Sequence, residues 1–193
     1  MNPRLRKLAL TAHLACTLGW LGALTGFLAL AIVGLAAPEM RTMQACYVAM
    51  GLIAWFVIVP LAHGALATGL VQALGTPWGL FRHYWVVAKL ALTVLALAIL
   101  VLKMGPISHL AAAADEGFPG TDLFGLRVSV MAHAAGGVAV LLAIAAIAVY
   151  KPTGLVGSSM PPWAKLLSAI LAALVLMLAV MMLLGGHGPR AHL

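Results

Sequence analysis

The chain has few charged residues, and acidic residues are the scarcer kind. Only 8% of its 193 residues are charged, 64% are hydrophobic, and Asp and Glu together number 4. This balance is far outside the norm for a soluble domain. No stretch is long enough for a soluble catalytic domain, so we expect one helical-bundle domain over residues 1–193.

Cysteines and catalytic motifs are also sparse. The two cysteines are Cys16 and Cys46, which we expect toward opposite faces of the membrane. That position argues against a disulfide between them, and one pair of cysteines cannot form a metal cage. The sequence contains no motif for nucleotide binding, hydrolysis or nucleophilic catalysis, so we assign no catalytic residue.

Long apolar runs are what the sequence does contain, and each can cross a bilayer. We predict an all-α integral membrane protein with five spans, at about residues 8–35, 45–74, 84–104, 123–150 and 163–184. The first run far exceeds the roughly 7–15 apolar residues of a signal peptide, so we interpret it as a retained span. Gly105-Pro106 closes the third span in this interpretation, and residues 111–114 favour a short interfacial helix.

The distribution of charge predicts the orientation. The formal net charge is +7, but the basic residues stand at the ends of apolar runs and form no patch for nucleic acid. All four acidic residues fall in two other loops. By the positive-inside rule the basic ends face the cytoplasm. Five spans then place the N-terminus inside and the C-terminus outside, in the plasma membrane.

Several residues in the spans fit a structural role. Gly22 and Gly26 form a GxxxG pattern, which lets helices pack closely in lipid and permits a homodimer without requiring one. Lys103 and Arg127 lie close enough to the outer surface to snorkel, so we expect structural roles for both.

Four other ionisable residues lie deeper, and such residues are usually functional. They are His13 on the first span, His63 on the second, Lys89 on the third and His133 on the fourth. At 1.5 Å per residue, His13 and Lys89 lie roughly 8 Å from the cytoplasmic boundary, His63 about 16 Å and His133 about 25 Å. Two histidines about 16 Å apart along the membrane normal cannot ligate one iron unless helix tilt removes most of that offset.

Three chemistries compete for these residues. The first is a haem b whose iron is ligated by two of His13, His63 and His133, with Lys89 near the propionates. The second is a proton or quinone site. The third is copper passage, with His13, Cys16 and some of the methionines as soft ligands. The alternative is that each histidine only hydrogen-bonds a neighbouring helix, in a cofactor-free transport protein or a structural membrane subunit.

Three segments resemble an uncharacterised family of bacterial, mainly actinobacterial, polytopic membrane proteins. They are HLACTLGWLGALTGFLALAIVGL, GLVQALGTPWGLFRHYWVVAKLALTVLA and HAAGGVAVLLAIAAIAVYKPTGL. The resemblance covers most of the chain, through about Gly154, and implies a membrane bundle in the bacterial inner membrane.

A more remote resemblance involves His13, Trp20 and Gly22, in the pattern His-x₆-Trp-x-Gly, together with Lys89. It is similar to a pattern in copper-resistance D type membrane proteins and haem-containing membrane protoporphyrinogen oxidases. In the latter, a histidine of the first span and a lysine of the third are implicated in haem and porphyrin handling. The resemblance carries over to His13 and Lys89 alone.

These observations together predict a membrane protein that binds haem b, similar to a cytochrome b. Electron transfer to or from a quinone or another redox partner would follow, or haem handling. Haem-dependent oxidoreductase activity is one use of such a site. The competing hypotheses are a cofactor-free transport protein, with copper as one cargo, and a structural membrane subunit.

Overall fold

The computed structural model describes residues 2–75, 79–118, 123–156, 161–166 and 169. Four long helices account for most of them: α1 (Pro3–Ala36), α2 (Met40–Gly75), α3 (Tyr84–Asp115) and α4 (Phe124–Tyr150). Each is long and apolar enough to span a membrane. Helices suit this environment because they satisfy their backbone hydrogen bonds internally, where lipid offers no partner. The prediction of an all-α fold is therefore confirmed for the described residues, and the four helices are compatible with a multi-pass membrane protein.

The four helices form an antiparallel ring. Both α1 and α3 pack against α2 and α4, whereas the diagonal pairs make no backbone contact within the described ranges. The N-terminus of α1 and the C-terminus of α2 share one end with Tyr84 and Lys151, which we call the basic end. The opposite end holds Glu39, Asp115 and Glu116 and is called the acidic end. The predicted fifth span, residues 163–184, lies almost wholly outside the described residues.

Helix α3 is longer than the sequence pattern indicates. It continues through Gly105 and Pro106 to Asp115, so the predicted end at residue 104 and the separate helix at residues 111–114 are wrong. A proline removes only one backbone hydrogen bond, and membrane helices tolerate it when neighbouring helices pack around it. Ile107, Leu110 and Ala114 are all buried beyond the proline, and their packing holds the helix together.

Helix α2 accommodates its internal proline in another way. A π-helical turn, Ala54–Ile58, lies immediately before Val59 and Pro60, and the Val59 N–H donates to the Ala54 carbonyl. Such a turn inserts one extra residue into the helix and occurs frequently at functional sites. The turn places Trp55 and Phe56 on the outer surface, where they are 51% and 77% exposed.

The core contains large apolar side chains that meet between the helices. The most deeply buried of them are Trp20, Phe27, Tyr47, Met50, Ile58 and Leu110. Where helices approach most closely, glycine leaves room for the neighbouring helix. A Cβ added at Gly51 would lie 2.7 Å from Ala111 Cβ, and one added at Gly137 would lie 2.9 Å from Leu24 Cδ2.

The GxxxG pattern of α1 is not part of this packing. Gly22 and Gly26 are exposed, and no described atom lies within 4 Å of a Cβ added at either position. Within the described residues, these two glycines therefore seat no neighbouring helix, and the prediction that they allow close helix packing stays a prediction. Their neighbour Gly19 does pack, because Leu61 of α2 lies 3.1 Å from its added Cβ.

Substituting Gly51 by Ala should destabilise the bundle. The new methyl group overlaps Ala111 Cβ, which is not the end of a flexible side chain, so the α2 and α3 backbones must separate. Overpacking of this kind costs about 1–3 kcal/mol. Unfolding in detergent, followed by circular dichroism, measures the change, and Gly22→Ala is the matched control. A G51A protein as stable as G22A would contradict this packing.

Candidate functional site

The candidate site lies at the basic end, where α1 packs along α2. Four contacts define the register of the two antiparallel helices. The Gln72 side-chain amide donates to the Ala9 carbonyl at 3.2 Å, and His13 meets Thr68. Cys16 then lies against Gly64, and Gly19 against Leu61. The contacts recur every three or four residues along both helices, as one face of an α-helix requires.

His13 is half-buried in this interface, and its Nδ1 lies 3.0 Å from Thr68 Oγ1. The Thr68 hydroxyl already donates its single hydrogen to the Gly64 carbonyl, at 2.6 Å. A threonine oxygen can still accept, so the hydrogen between the two side chains belongs to His13 Nδ1. In the neutral imidazole this tautomer leaves a lone pair on Nε2.

A glycine makes room for the imidazole ring. A Cβ added at Gly69 would lie 3.2 Å from His13 Cε1, a distance at which the ring or the helix would have to move. Cys16, one turn further along α1, lies even closer to its partner, because a Cβ at Gly64 would be 2.8 Å from its Sγ. The small residues of α2 therefore allow both polar side chains of α1 to point into the helix interface.

Lys89 approaches the same region from α3, the helix diagonally opposite α1. Its ammonium group is half-buried and lies 5.9 Å from the centroid of the Trp85 ring, a cation–π distance. Lys89 also interacts electrostatically with His13. Sequence analysis placed these two residues at one depth, and in the structure they lie within electrostatic range of each other.

The other two histidines have local partners. His63 Nδ1 donates to the Val59 carbonyl at 2.8 Å, and His133 Nδ1 donates to the Ser129 carbonyl at 2.7 Å. A carbonyl can only accept, so both rings also carry their hydrogen on Nδ1 and a lone pair on Nε2 when neutral. His63 is exposed on the surface of α2, whereas His133 is half-buried on α4.

The structure does not bring the three histidines together. Leu24 packs on Gly137, and Gly34 accepts a hydrogen bond from Arg127, a register that sets His133 level with residue 28 of α1. His133 is therefore about 15 residues, or roughly 22 Å along the helix axis, from His13. His63 is roughly 6 Å from the level of His13, but it is exposed, whereas Gly64 beside it faces α1.

Arg127 has the structural role that we expected, but it fills this role by contacting neighbouring helices and not by snorkelling. It is half-buried, and its Nε and Nη2 donate to Tyr47 Oη at 3.0 Å and the Gly34 carbonyl at 3.1 Å. Its guanidinium also lies 5.4 Å from the centroid of the Tyr47 ring. The closeness depends on Gly34, since a Cβ there would lie 3.1 Å from that ring. Arg127 thus connects α4 to α1 and α2 at the acidic end.

The arrangement of the cysteines and other metal-ligating side chains bears on the copper-passage hypothesis. Cys16 and Cys46 are both free thiols. Within the ranges that the structure describes, no group of three or more His, Cys, Asp or Glu side chains is arranged to hold a metal ion. Haem iron differs in this respect, because the porphyrin supplies four ligands and the protein needs to add only one or two.

Sequence reasoning did not identify the α2 side of this site. Thr68, Gly69 and Gln72 look unremarkable in an apolar run, since threonine and glycine are common in membrane helices. The available signal was the matching of small residues on α2 with polar residues on α1, which requires knowing the register. Register depends on contacts between distant residues, and the pattern within one helix does not contain it.

The fold and these residues define the class: a polytopic membrane protein built on an α-helical bundle. No protein-family model, curated protein or solved structure matches the chain. The family resemblance described above therefore stays a prediction.

Replacing Thr68 with Val should change the tautomer populations of the neutral His13 ring. Val is close in shape to Thr but accepts no hydrogen bond, so the Nδ1–H tautomer loses the Thr68 acceptor and the other tautomer should become more populated. Interhelical hydrogen bonds in membranes contribute about 0.6 kcal/mol on average, and stability should fall by about that amount. Imidazole ¹⁵N chemical shifts report the tautomer directly.

The control for this substitution is Thr17→Val. The Thr17 hydroxyl donates only within α1, to the carbonyls of His13 and Leu14. T17V should therefore leave the His13 nitrogen shifts unchanged. Identical shifts in T68V and the unsubstituted protein would show that Thr68 does not orient the ring.

Proposed function

We propose that this protein binds haem b in the membrane and that His13 would hold its iron. The observation that carries the proposal is the Nδ1 hydrogen bond from His13 to Thr68. Metal-ligating histidines almost always donate the other ring N–H to an oxygen, which holds the tautomer and the ring orientation. His13 has that arrangement, and its Nε2 would be the atom that holds the iron.

Lys89 is the second part of the proposal. A charged group within a membrane is costly and usually pairs with an opposite charge or faces a functional cavity. Lys89 lies within electrostatic range of His13 and Lys151, and neither of these side chains carries a negative charge. A haem propionate would supply the compensating negative charge beside the Trp85 ring.

The donor set of the described residues fits one protein ligand per haem. His63 and His133 also present Nε2, but the helix register places neither of them opposite His13 within one protomer. One-electron redox chemistry is what the iron supplies when haem is bound. With one strong protein ligand, haem handling fits the site better than electron transfer. For electron transfer, the proposed redox partner is a quinone.

The proposal includes the topology predicted from sequence. The basic end faces the cytoplasm of a bacterial cell, because its arginines and lysines follow the positive-inside rule. A fifth span at residues 163–184 would place the C-terminus outside. Any homodimer would form through the exposed Gly22 and Gly26 face of α1, which no described residue covers.

A structural membrane subunit is the second candidate. The hydrogen bonds from His13 to Thr68 and from Arg127 to Tyr47 and Gly34 each join different helices. Polar residues used only to hold membrane helices together would look the same at these positions. The two candidates differ in whether His13 Nε2 has a ligand to bind.

The visible spectrum of the purified protein distinguishes them. After expression with added haem, we expect a Soret band that shifts on dithionite reduction. His13→Ala should abolish this band, whereas His63→Ala and His133→Ala, the matched controls, should retain it. Lys89→Gln should keep the band positions and weaken haem binding by roughly fivefold, the size of one partly exposed charge contact.

Two results would contradict the haem proposal. One is a preparation that stays colourless after haem is supplied during expression. The other is a spectrum that His13→Ala leaves unchanged, which would remove His13 from the set of ligands even if haem were bound.

A further inference from the structure

A groove on the outer surface, remote from His13, remains unexplained by the haem proposal. It lies between α2 and α3 in the half of the bundle toward the acidic end, with a volume of about 340 Å³. Two faces line it, one from each helix: Val48, Gly51, Leu52, Trp55 and Phe56, and Ser108, Ala111, Ala112 and Asp115. Ser108 and Asp115 are about 10 Å apart along α3.

Small residues form the floor of the groove. Gly51 and Ala111 bring the two helices close together, since an added Cβ at Gly51 would be 2.7 Å from Ala111 Cβ. The π-helical turn Ala54–Ile58 contains Trp55 and Phe56, which form the aromatic wall of the groove. The Trp55 indole N–H donates to Ser108 Oγ at 3.0 Å, which ties that wall to α3.

The other end of the groove is negative. Asp115 is exposed there and forms no ion pair with a described residue. It is also the last residue of α3, where the helix dipole already places partial negative charge. A carboxylate at a helix C-terminus is unfavourable by itself, and a cation bound at this position would offset both charges.

The groove therefore combines a lipid-facing apolar channel with a site for one positive charge. We propose that it binds a phospholipid whose headgroup carries a primary ammonium, with the ammonium at Asp115. An acyl chain then lies along Leu52, Trp55 and Phe56, deeper in the membrane. This inference does not depend on haem, because none of its residues contacts His13 or Lys89 in the described structure.

Native mass spectrometry of the protein with equimolar phosphatidylethanolamine and phosphatidylglycerol tests the proposal. Both lipids carry a phosphate, but only the first carries an ammonium group. We expect the unsubstituted protein to retain phosphatidylethanolamine preferentially. Asp115→Asn should reduce that preference roughly three- to fivefold, as expected for one partly exposed charge contact.

Two further variants make the test specific. Glu116→Gln removes the same charge from the adjacent residue, which does not line the groove, and should leave the preference intact. Ala112→Leu fills the groove and should reduce binding of phosphatidylethanolamine while leaving Asp115 in place. Equal retention of the two lipids, an unchanged D115N, or an equal loss in E116Q would each overturn the proposal.

Discussion

The close antiparallel packing of α1 against α2 is the constraint on which the rest of the structure depends. In lipid there is no hydrophobic force between helices, so contact area and hydrogen bonds must hold them together. Glycines at Gly34, Gly64 and Gly69 allow that contact, because a side chain at any of them would press on α1 or α2. The same close approach brings His13 to Thr68, so the packing of the pair determines the geometry of the candidate site.

The polar residues at the acidic end and the basic end of the bundle differ in how fully their hydrogen-bonding groups and charges are paired. At the acidic end, Arg127 donates to a hydroxyl and a carbonyl and lies over an aromatic ring, a set of contacts that accounts for its charge. At the basic end, His13 donates from Nδ1 and retains a lone pair on Nε2, and Lys89 lies within electrostatic range of the like-charged Lys151. Arg127 therefore has a structural role. At the basic end, the Nε2 lone pair of His13 and the charge of Lys89 are the groups that the haem proposal uses.

The class of protein and the four described helices could be predicted from the sequence, because the length and hydropathy of an apolar run are properties of a single segment. Sequence prediction failed where long-range packing overrides a local signal. Helix α3 continues past Pro106 because Ile107 and Leu110 are buried against its neighbours. Gly22 and Gly26 contact no described helix, although their pattern is typical of helix contacts. His13 and Lys89 were predictable from their cost in a membrane, but Thr68 was not, since its role comes only from its position opposite His13.

A single cross-link tests the register of α1 on α2 most directly. In a Cys46→Ala background, Gly64→Cys would place a new Cβ 2.8 Å from Cys16 Sγ, within reach of a disulfide. His63→Cys, one residue away and exposed, is the control. With a mild oxidant in membranes, we expect an intramolecular disulfide in the G64C protein and none in H63C, detected by mass spectrometry. A G64C protein that stays reduced, or equal cross-linking in both, would contradict the register and with it the placement of His13.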